Sequence, residues 1–299
     1  MLIETNLLTQ IEALKQEGKA FTLYAIADPA QEIKLRTQYL PKAKFKNQSS
    51  LLDPSDTSDE AATVAPFLVQ LPSPSDDAEL WKNLTGFAQK NPAALTVLAS
   101  MHPFTKLHKH LSYFTEIRLP DETAMVLAYW DPAILGTLMG NKADTTLHVD
   151  GPVFTAKQRQ ALLSPIAVWW YWDRDGKLQR MDNQGDGVTF DFENRIKLVQ
   201  VQVDMLVEAS VPDHIISHFQ INQPALLAPI ALAQQYAQVE RHLLGARQLR
   251  LEGMSDILNY VAAGLIYGER ITTDNEIVEL LGKVRQRELK LTQALEQFP

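Results

Sequence analysis

A change of texture part-way along the chain constrains the fold more than any other feature. From Phe21 to about Met181, apolar runs of strand length alternate with stretches of helical period; beyond a polar, glycine-containing break at Asp182–Gly187, helix follows helix with hardly a strand-like alternation. A short apolar run cannot bury itself, and its alternation with helices is the pattern of an α/β layer structure. The sequence therefore predicts an α/β N-terminal lobe with a mixed sheet over residues 1–184, followed by an all-α C-terminal helical lobe over residues 185–299. A chain of 299 residues has room for two cores, since single cores stop growing at roughly 250–300 residues.

The predicted strands are Phe21–Ala27, Pro66–Leu71, Leu95–Ala99, Tyr113–Leu119, Thr123–Tyr129, and a hairpin of Ile166–Trp172 with Lys177–Met181 across Asp173-Arg174-Asp175-Gly176. The hairpins require antiparallel pairs. Helices are expected over Met1–Gly18, Ala30–Tyr39 and Asp76–Lys90, after Pro103, and from Ala133, where Asp131 caps and Pro132 fits the first turn. Gln48–Thr63, rich in Ser, Asp and Thr, reads as a loop. In the second half, Phe192, Ile196, Val199, Val203 and Leu206 recur at helical steps, although Val199–Val203 also alternates like a strand. Further helices are expected over Leu226–Leu244, Asp256–Tyr267 and Asp274–Phe298, making a small bundle. In the run Trp169-Trp170-Tyr171-Trp172, alternate side chains face opposite sides of the strand. One face is core, and the second is expected to pack against the helical lobe or to anchor a partner.

Charge and composition exclude several classes. The net charge is −8, and Lys42, Lys44 and Lys46 form the only compact basic run, a solvated loop, so no nucleic-acid partner is expected. No cysteine is present, which removes disulfides and thiolate metal sites and fits a reducing compartment. Met1–Gly18 lacks the basic start and continuous apolar stretch of a signal peptide. No apolar run approaches the roughly 20 residues that span a bilayer. A cytoplasmic protein without membrane insertion is expected.

Motifs for catalysis are mostly missing. The chain has no glycine-rich phosphate loop, no Gly-x-Ser-x-Gly elbow and no His-Glu-x-x-His pair. His102, His108 and His110 invite a metal reading. On a helix of about 3.6 residues per turn, however, His108 and His110 point roughly 200° apart and do not grip one ion. Hydrogen bonding at a helix–sheet junction is the plainer role for them. Asp173-Arg174-Asp175-Gly176 opens like a calcium loop but lacks the third acidic ligand and the distal glutamate, so it reads as a hairpin turn. Asp131 beside His110, with Arg118 as an anion anchor, would be a hydrolase site, but nothing supplies a nucleophile or an oxyanion site. A helix cap and an ion pair account for them. No catalytic residue, metal site or cofactor is assigned, and a non-enzymatic protein is expected.

Ser100, the His108/His110-Leu111 helix, Arg118, Tyr129-Trp130-Asp131-Pro132 and Leu135 follow one another in an order that resembles the type VI secretion adaptor family. These are the effector-loading chaperones of Gram-negative bacteria, whose shared domain is called domain of unknown function 4123. Weaker resemblance extends to Tyr24-Ala25-Ile26-Ala27-Asp28, Ala65-Pro66-Phe67-Leu68-Val69 and Ala167-Val168-Trp169-Trp170. Where the family usually carries an arginine or another polar residue before the Tyr/Phe-Asp-Pro element, this chain has Leu127-Ala128. The resemblance implies a cytoplasmic adaptor that binds a cognate secreted effector, a toxin, and helps place it on spike proteins of the VgrG and PAAR type. A groove receiving an apolar helix or extended segment of the effector is the expected mechanism. Arg118, Tyr129 and Trp130 are the expected partner-binding residues, together with Tyr260, Leu265 and Tyr267 in the helical lobe. An enzyme using Asp131 and His110, or a structural scaffold in a larger assembly, is the alternative.

Overall fold

The computed structural model describes residues 6–18, 20–52, 63–183 and 195–299. Two units divide the chain, residues 1–207 and residues 208–299. The boundary expected at residues 184 and 185, most of the break after Asp182, most of the loop expected over Gln48–Thr63, and Phe192 lie outside the described residues.

In the first unit, α1 (Leu7–Gln16) starts at Asn6, whose side chain accepts a hydrogen bond from the Thr9 amide, and buries Leu7, Ile11 and Leu14 at helical spacing. Next come β1 (Thr22–Ala27), β2 (Gln48–Ser50), β3 (Phe67–Gln70), α2 (Ala78–Lys90) and β4 (Leu95–Ser100). They are followed by α3 (Phe104–Tyr113), β5 (Glu116–Arg118), β6 (Ala124–Val126), α4 (Pro132–Met139), α5 (Ala156–Leu163), β7 (Ile166–Trp172) and β8 (Leu178–Asp182). Six strands form one sheet in the order β2-β3-β1-β4-β7-β8, and β5 pairs with β6 in a second, small sheet. The antiparallel pairing that the hairpins demand runs through every strand pair of both sheets. Among the described residues one parallel bridge is added to these pairs, between Arg118 of β5 and Lys197.

Helices cover both faces of the large sheet, which is why β1 and β4 are continuous apolar runs and not alternating ones. On one face Tyr24, Ile26, Leu98, Trp169 and Tyr171 pack with Leu107 and Leu111 of α3, Leu135 of α4 and Leu162 of α5. On the other, Leu23, Ala25, Val97, Trp170 and Trp172 pack with Ile11 of α1 and with Trp81, Leu84 and Phe87 of α2. The aromatic run thus supplies core to both faces. Its second face, expected against the helical lobe or a partner, meets α1 and α2 instead, and the Trp170 indole N–H donates to Gln10 Oε1 at 2.8 Å.

The second unit is helical: α6 (Gln200–Asn222), which runs across residues 207 and 208, then α7 (Leu232–Gln248), α8 (Met254–Tyr267), α9 (Arg270–Thr273), α10 (Asn275–Arg285) and α11 (Leu291–Leu295). Ile215, Phe219, Val239, Leu243, Val261, Ile277 and Leu281 fill its core. The expected order, an α/β lobe followed by a helical lobe, is the one observed.

Several local expectations are corrected. Ala30–Tyr39 is not a regular helix but ends in one π-helical turn, Leu35–Tyr39. Gln48–Ser50, expected as loop, is strand β2, fixed by the pairing of Ser49 with Leu68. Of the two patterns that Val199–Val203 carries, the helical one is the one observed, from Gln200 onward. The helix expected over Asp274–Phe298 breaks after Arg285, where Arg287 takes a left-handed φ of 61°, and restarts at Leu291. Helix α5 had no counterpart in the sequence reading.

Candidate functional site

The residues that carry the family resemblance lie far apart in sequence and meet in the fold. The Trp130 indole N–H donates to Asp28 Oδ2 at 3.2 Å across 102 residues, and the Ala30 amide donates to Asp28 Oδ1 at 3.0 Å. Burial raises the Asp28 pKa, and the hydrogen bonds from Ala30 and Trp130 oppose the shift. Tyr129 is fully buried, with its hydroxyl donating to the Leu111 carbonyl at 2.8 Å and its ring set edge-on to Trp130 and Trp169. Asp131 Oδ1 accepts from the amides of Ala133 at 2.8 Å and Ile134 at 3.2 Å, the cap expected for α4. Gly140 closes α4 at φ 67°, where an added Cβ would lie 2.6 Å from Pro152 N. Ser100 Oγ donates to the Pro165 carbonyl and accepts from the His102 amide at 3.1 Å.

The histidines are absorbed in the same way. His108 Nε2 donates to the Ser50 carbonyl at 2.6 Å, tying α3 to β2. His110 is buried, and its Nε2 donates to the Leu162 carbonyl of α5 at 2.9 Å. Burial lowers the His110 pKa to about 4, with Leu162 pulling the other way. His102 is exposed. Among the described residues no three His, Cys, Asp or Glu side chains group to hold a metal.

Asp173-Arg174-Asp175-Gly176 is the hairpin turn. Asp173 Oδ1 accepts from the amides of Asp175 and Lys177, and its Oδ2 accepts from Gln179 Nε2 at 2.7 Å. Beside it, the Tyr171 hydroxyl donates to Asp144 Oδ2 at 3.0 Å and accepts from Asn141 Nδ2 at 2.8 Å. Burial raises the Tyr171 pKa, and the neighbouring Asp144 charge adds to it. Sequence reasoning missed this polar cluster because Asn141 and Asp144 sit in an irregular segment between α4 and α5 that carries no periodic signal.

What the signature leaves at the surface is the outer face of the β5–β6 sheet. Cross-strand pairing sets Glu116 beside Val126 and Arg118 beside Ala124, with Ile117 and Met125 turned to the core. Residues 195–198 extend the β5 side: the Arg118 amide donates to the Ile196 carbonyl at 2.8 Å, and the Leu198 amide donates to the Arg118 carbonyl at 2.9 Å. The Arg118 guanidinium lies 3.3 Å from Glu116 and donates to the Glu122 carbonyl at 3.1 Å, yet its side chain remains 41% exposed. Arg195 lies over the Tyr113 ring and 3.7 Å from Glu116, and Lys197 pairs with Glu122. Val126 is 59% exposed in the middle of this charged surface, an apolar spot the sequence reading did not single out.

The six expected partner-binding residues therefore fall into three settings. Arg118 presents its side chain to solvent, while Tyr129 and Trp130 are enclosed in the first unit's core and help hold the signature together. In the second unit Tyr260 is buried, with its hydroxyl against Gly245. Leu265 and Tyr267 are half-buried; Tyr267 lies edge-on to Phe298, with Arg270 over its ring. Ile266, between Leu265 and Tyr267, is 66% exposed.

The segment from β1 to just beyond α4 is also where the comparisons fall. Residues 23–148 match the family model of a domain of unknown function, DUF4123. The DUF4123 segment takes in β1 from Leu23 onward, β2 to β6 and every strongly matching signature residue from Ser100 to Leu135; β7 and β8, which complete the sheet, lie beyond it. No curated protein and no solved structure matches the chain. Among the described residues, no helix is long and apolar enough to cross a membrane.

Proposed function

We propose that the protein is a non-catalytic adaptor that binds a cognate type VI secretion effector in the cytoplasm and assists its loading onto a spike of VgrG and PAAR type. The observation that carries this reading is the coincidence of the DUF4123 match over residues 23–148 with the ordered signature from Ser100 to Leu135. The geometry is compatible with it. The groups that would serve a hydrolase, Asp131 and His110, are engaged in a helix cap and in a carbonyl hydrogen bond. Client recognition is assigned to the β5–β6 face, where Arg118 and Val126 are accessible. Such a mixed apolar and charged surface holds a client by local contacts and yields it when a competing partner offers comparable ones.

Co-expression with the effector encoded beside the gene tests the reading. A stoichiometric complex is expected, and Arg118→Glu should cut its recovery at least tenfold while moving the melting temperature by no more than a degree or two. Exposed ion pairs contribute only about 0–1 kcal/mol, so the fold tolerates that change. Failure of every neighbouring effector and spike protein to associate would overturn the proposal.

A further inference from the structure

The outer edge of β8 ends the large sheet, and its charges are self-complementary. Pairing of β8 with β7 runs from Val168–Asp182 to Trp172–Leu178, and the flanking hydrogen bonds, Asp173 amide to Lys177 carbonyl and Asn183 amide to Ala167 carbonyl, fix its phase. In an antiparallel ladder, hydrogen-bonded and non-hydrogen-bonded residues alternate, so Gln179 and Met181 direct their N–H and C=O groups at β7. Leu178, Arg180 and Asp182 direct theirs outward, and among the described residues nothing pairs with them. Arg180 and Asp182 stand two residues apart on one face of the strand, joined by hydrogen bonds of 3.0 Å from Nε, with 32% and 46% of their side chains exposed.

We infer that this edge is a seam between two copies of the chain, β8 against β8 in antiparallel register, with Arg180 of each copy opposite Asp182 of the other. Charge selects both the occupant and the register. A strand carrying + and − at positions i and i+2 meets − and + when a copy of itself is turned through a two-fold axis. Opposite charges directly across a pair are favourable and like charges are not. The neighbouring register, Arg180 against Arg180, sets like charges face to face. The two-fold axis then passes beside Met181, and the six-stranded sheet continues into its copy as an isologous interface. Charged residues on an edge ordinarily repel foreign strands. Here the same pair that deters other edges admits its own copy.

Sedimentation of the full chain over a concentration series reads the assembly directly. The wild-type protein is expected at twice the monomer mass. Arg180→Glu alone makes the edge wholly acidic and Asp182→Arg alone makes it wholly basic, so each variant should run at the monomer mass with an unchanged circular dichroism spectrum. An equimolar mixture of the two should return to the dimer mass, because each charge then faces its opposite across the seam. A wild-type chain that stays monomeric at every concentration, a dimer that survives either single change, or a mixture that remains monomeric would each overturn the assignment. Hydrogen exchange gives a reading without substitution: the Arg180 and Asp182 amides should be protected in concentrated solution and lose protection on dilution, and unprotected amides at high concentration would refute the pairing. Client co-purification scores the adaptor reading separately, and neither result depends on the other.

Discussion

At the scale of single residues, the signature in this chain is mainly a folding device. Tyr129 shows why. Its phenol is buried and donates to the Leu111 carbonyl, which also accepts from the Phe114 amide, so Tyr129→Phe removes one buried hydrogen bond at the end of α3 while the carbonyl keeps its backbone partner. The cost of such a loss is about 0.5–1.5 kcal/mol, and urea unfolding should show a lower midpoint at an unchanged slope. Thr96 makes the opposite case. It is fully buried in the central strand β4, and its hydroxyl has no partner among the described residues. Thr96→Val keeps the β-branched shape and removes a desolvated hydroxyl, so a gain of about 1 kcal/mol is expected in the same titration. A loss at Thr96 would mean that the hydroxyl is satisfied in solution. Nothing in the sequence separates these two residues, since each reads as a strand-forming residue in an apolar run; only the partners tell them apart.

At the scale of elements, strands and caps were legible while breaks and weakly patterned pieces were not. Strand β4 fell within a residue of its expected end, and the α4 cap at Asp131 followed from Asp-Pro chemistry. Helix α5 was missed because its eight residues, Ala-Lys-Gln-Arg-Gln-Ala-Leu-Leu, carry no apolar stripe; the signal present was the Thr155–Gln158 capping box. The break after Arg285 was missed because the apolar residues Ile277, Leu281, Val284 and Leu291 keep a helix-like spacing across it, while the turn at Arg287 uses a positive φ that sequence does not announce. Of the candidate site, Arg118 was legible from the resemblance. Val126 was not, because a half-exposed strand of an isolated pair looks like any short β run. Helix packing supplies a contrast between two glycines that sequence cannot rank. Gly264 of α8 lies under the His242 ring of α7, and an added Cβ would collide with Nδ1 and Cγ. Gly282 of α10 faces open space. Gly264→Ala should therefore destabilise by roughly 1–3 kcal/mol through overpacking. Gly282→Ala should stabilise by about 0.5–1 kcal/mol through helix propensity alone. Thermal melts of the two variants moving in the same direction would contradict this account of the α7–α8 contact.

At the scale of the whole molecule, stability is set to fall on mild acidification, and two histidines in two units are responsible. Burial holds His110 of the first unit at a pKa of about 4; burial, with the Arg241 charge, does the same for His242 of the second. In the unfolded chain both return to about 6.5. Between those values the unfolded state binds more protons than the native one, so unfolding is progressively favoured as pH drops from about 6.5 to 4, and the loss is complete below the folded pKa. For His110, which keeps a hydrogen bond only in its Nε2-protonated form, the full effect is about 3 kcal/mol. The raised carboxylates Asp28 and Asp173 act with the opposite sign, because they take up a proton more readily in the fold than out of it. They offset part of the loss only at the acid end of the window, as pH nears their own range. The capping and paired acids Asp77, Asp121, Asp274 and Glu279 have lowered pKa values, so their stabilising contribution is lost only at still lower pH. Unfolding midpoints measured at pH 7 and pH 5 should therefore differ, with the more acid sample weaker. His110→Gln, whose amide reaches for the Leu162 carbonyl without a titratable group, should remove the first unit's share of that difference, and His242→Gln the second's. If both substitutions leave the pH dependence intact, the proton uptake that drives it belongs to other groups and the two buried imidazoles are not its source.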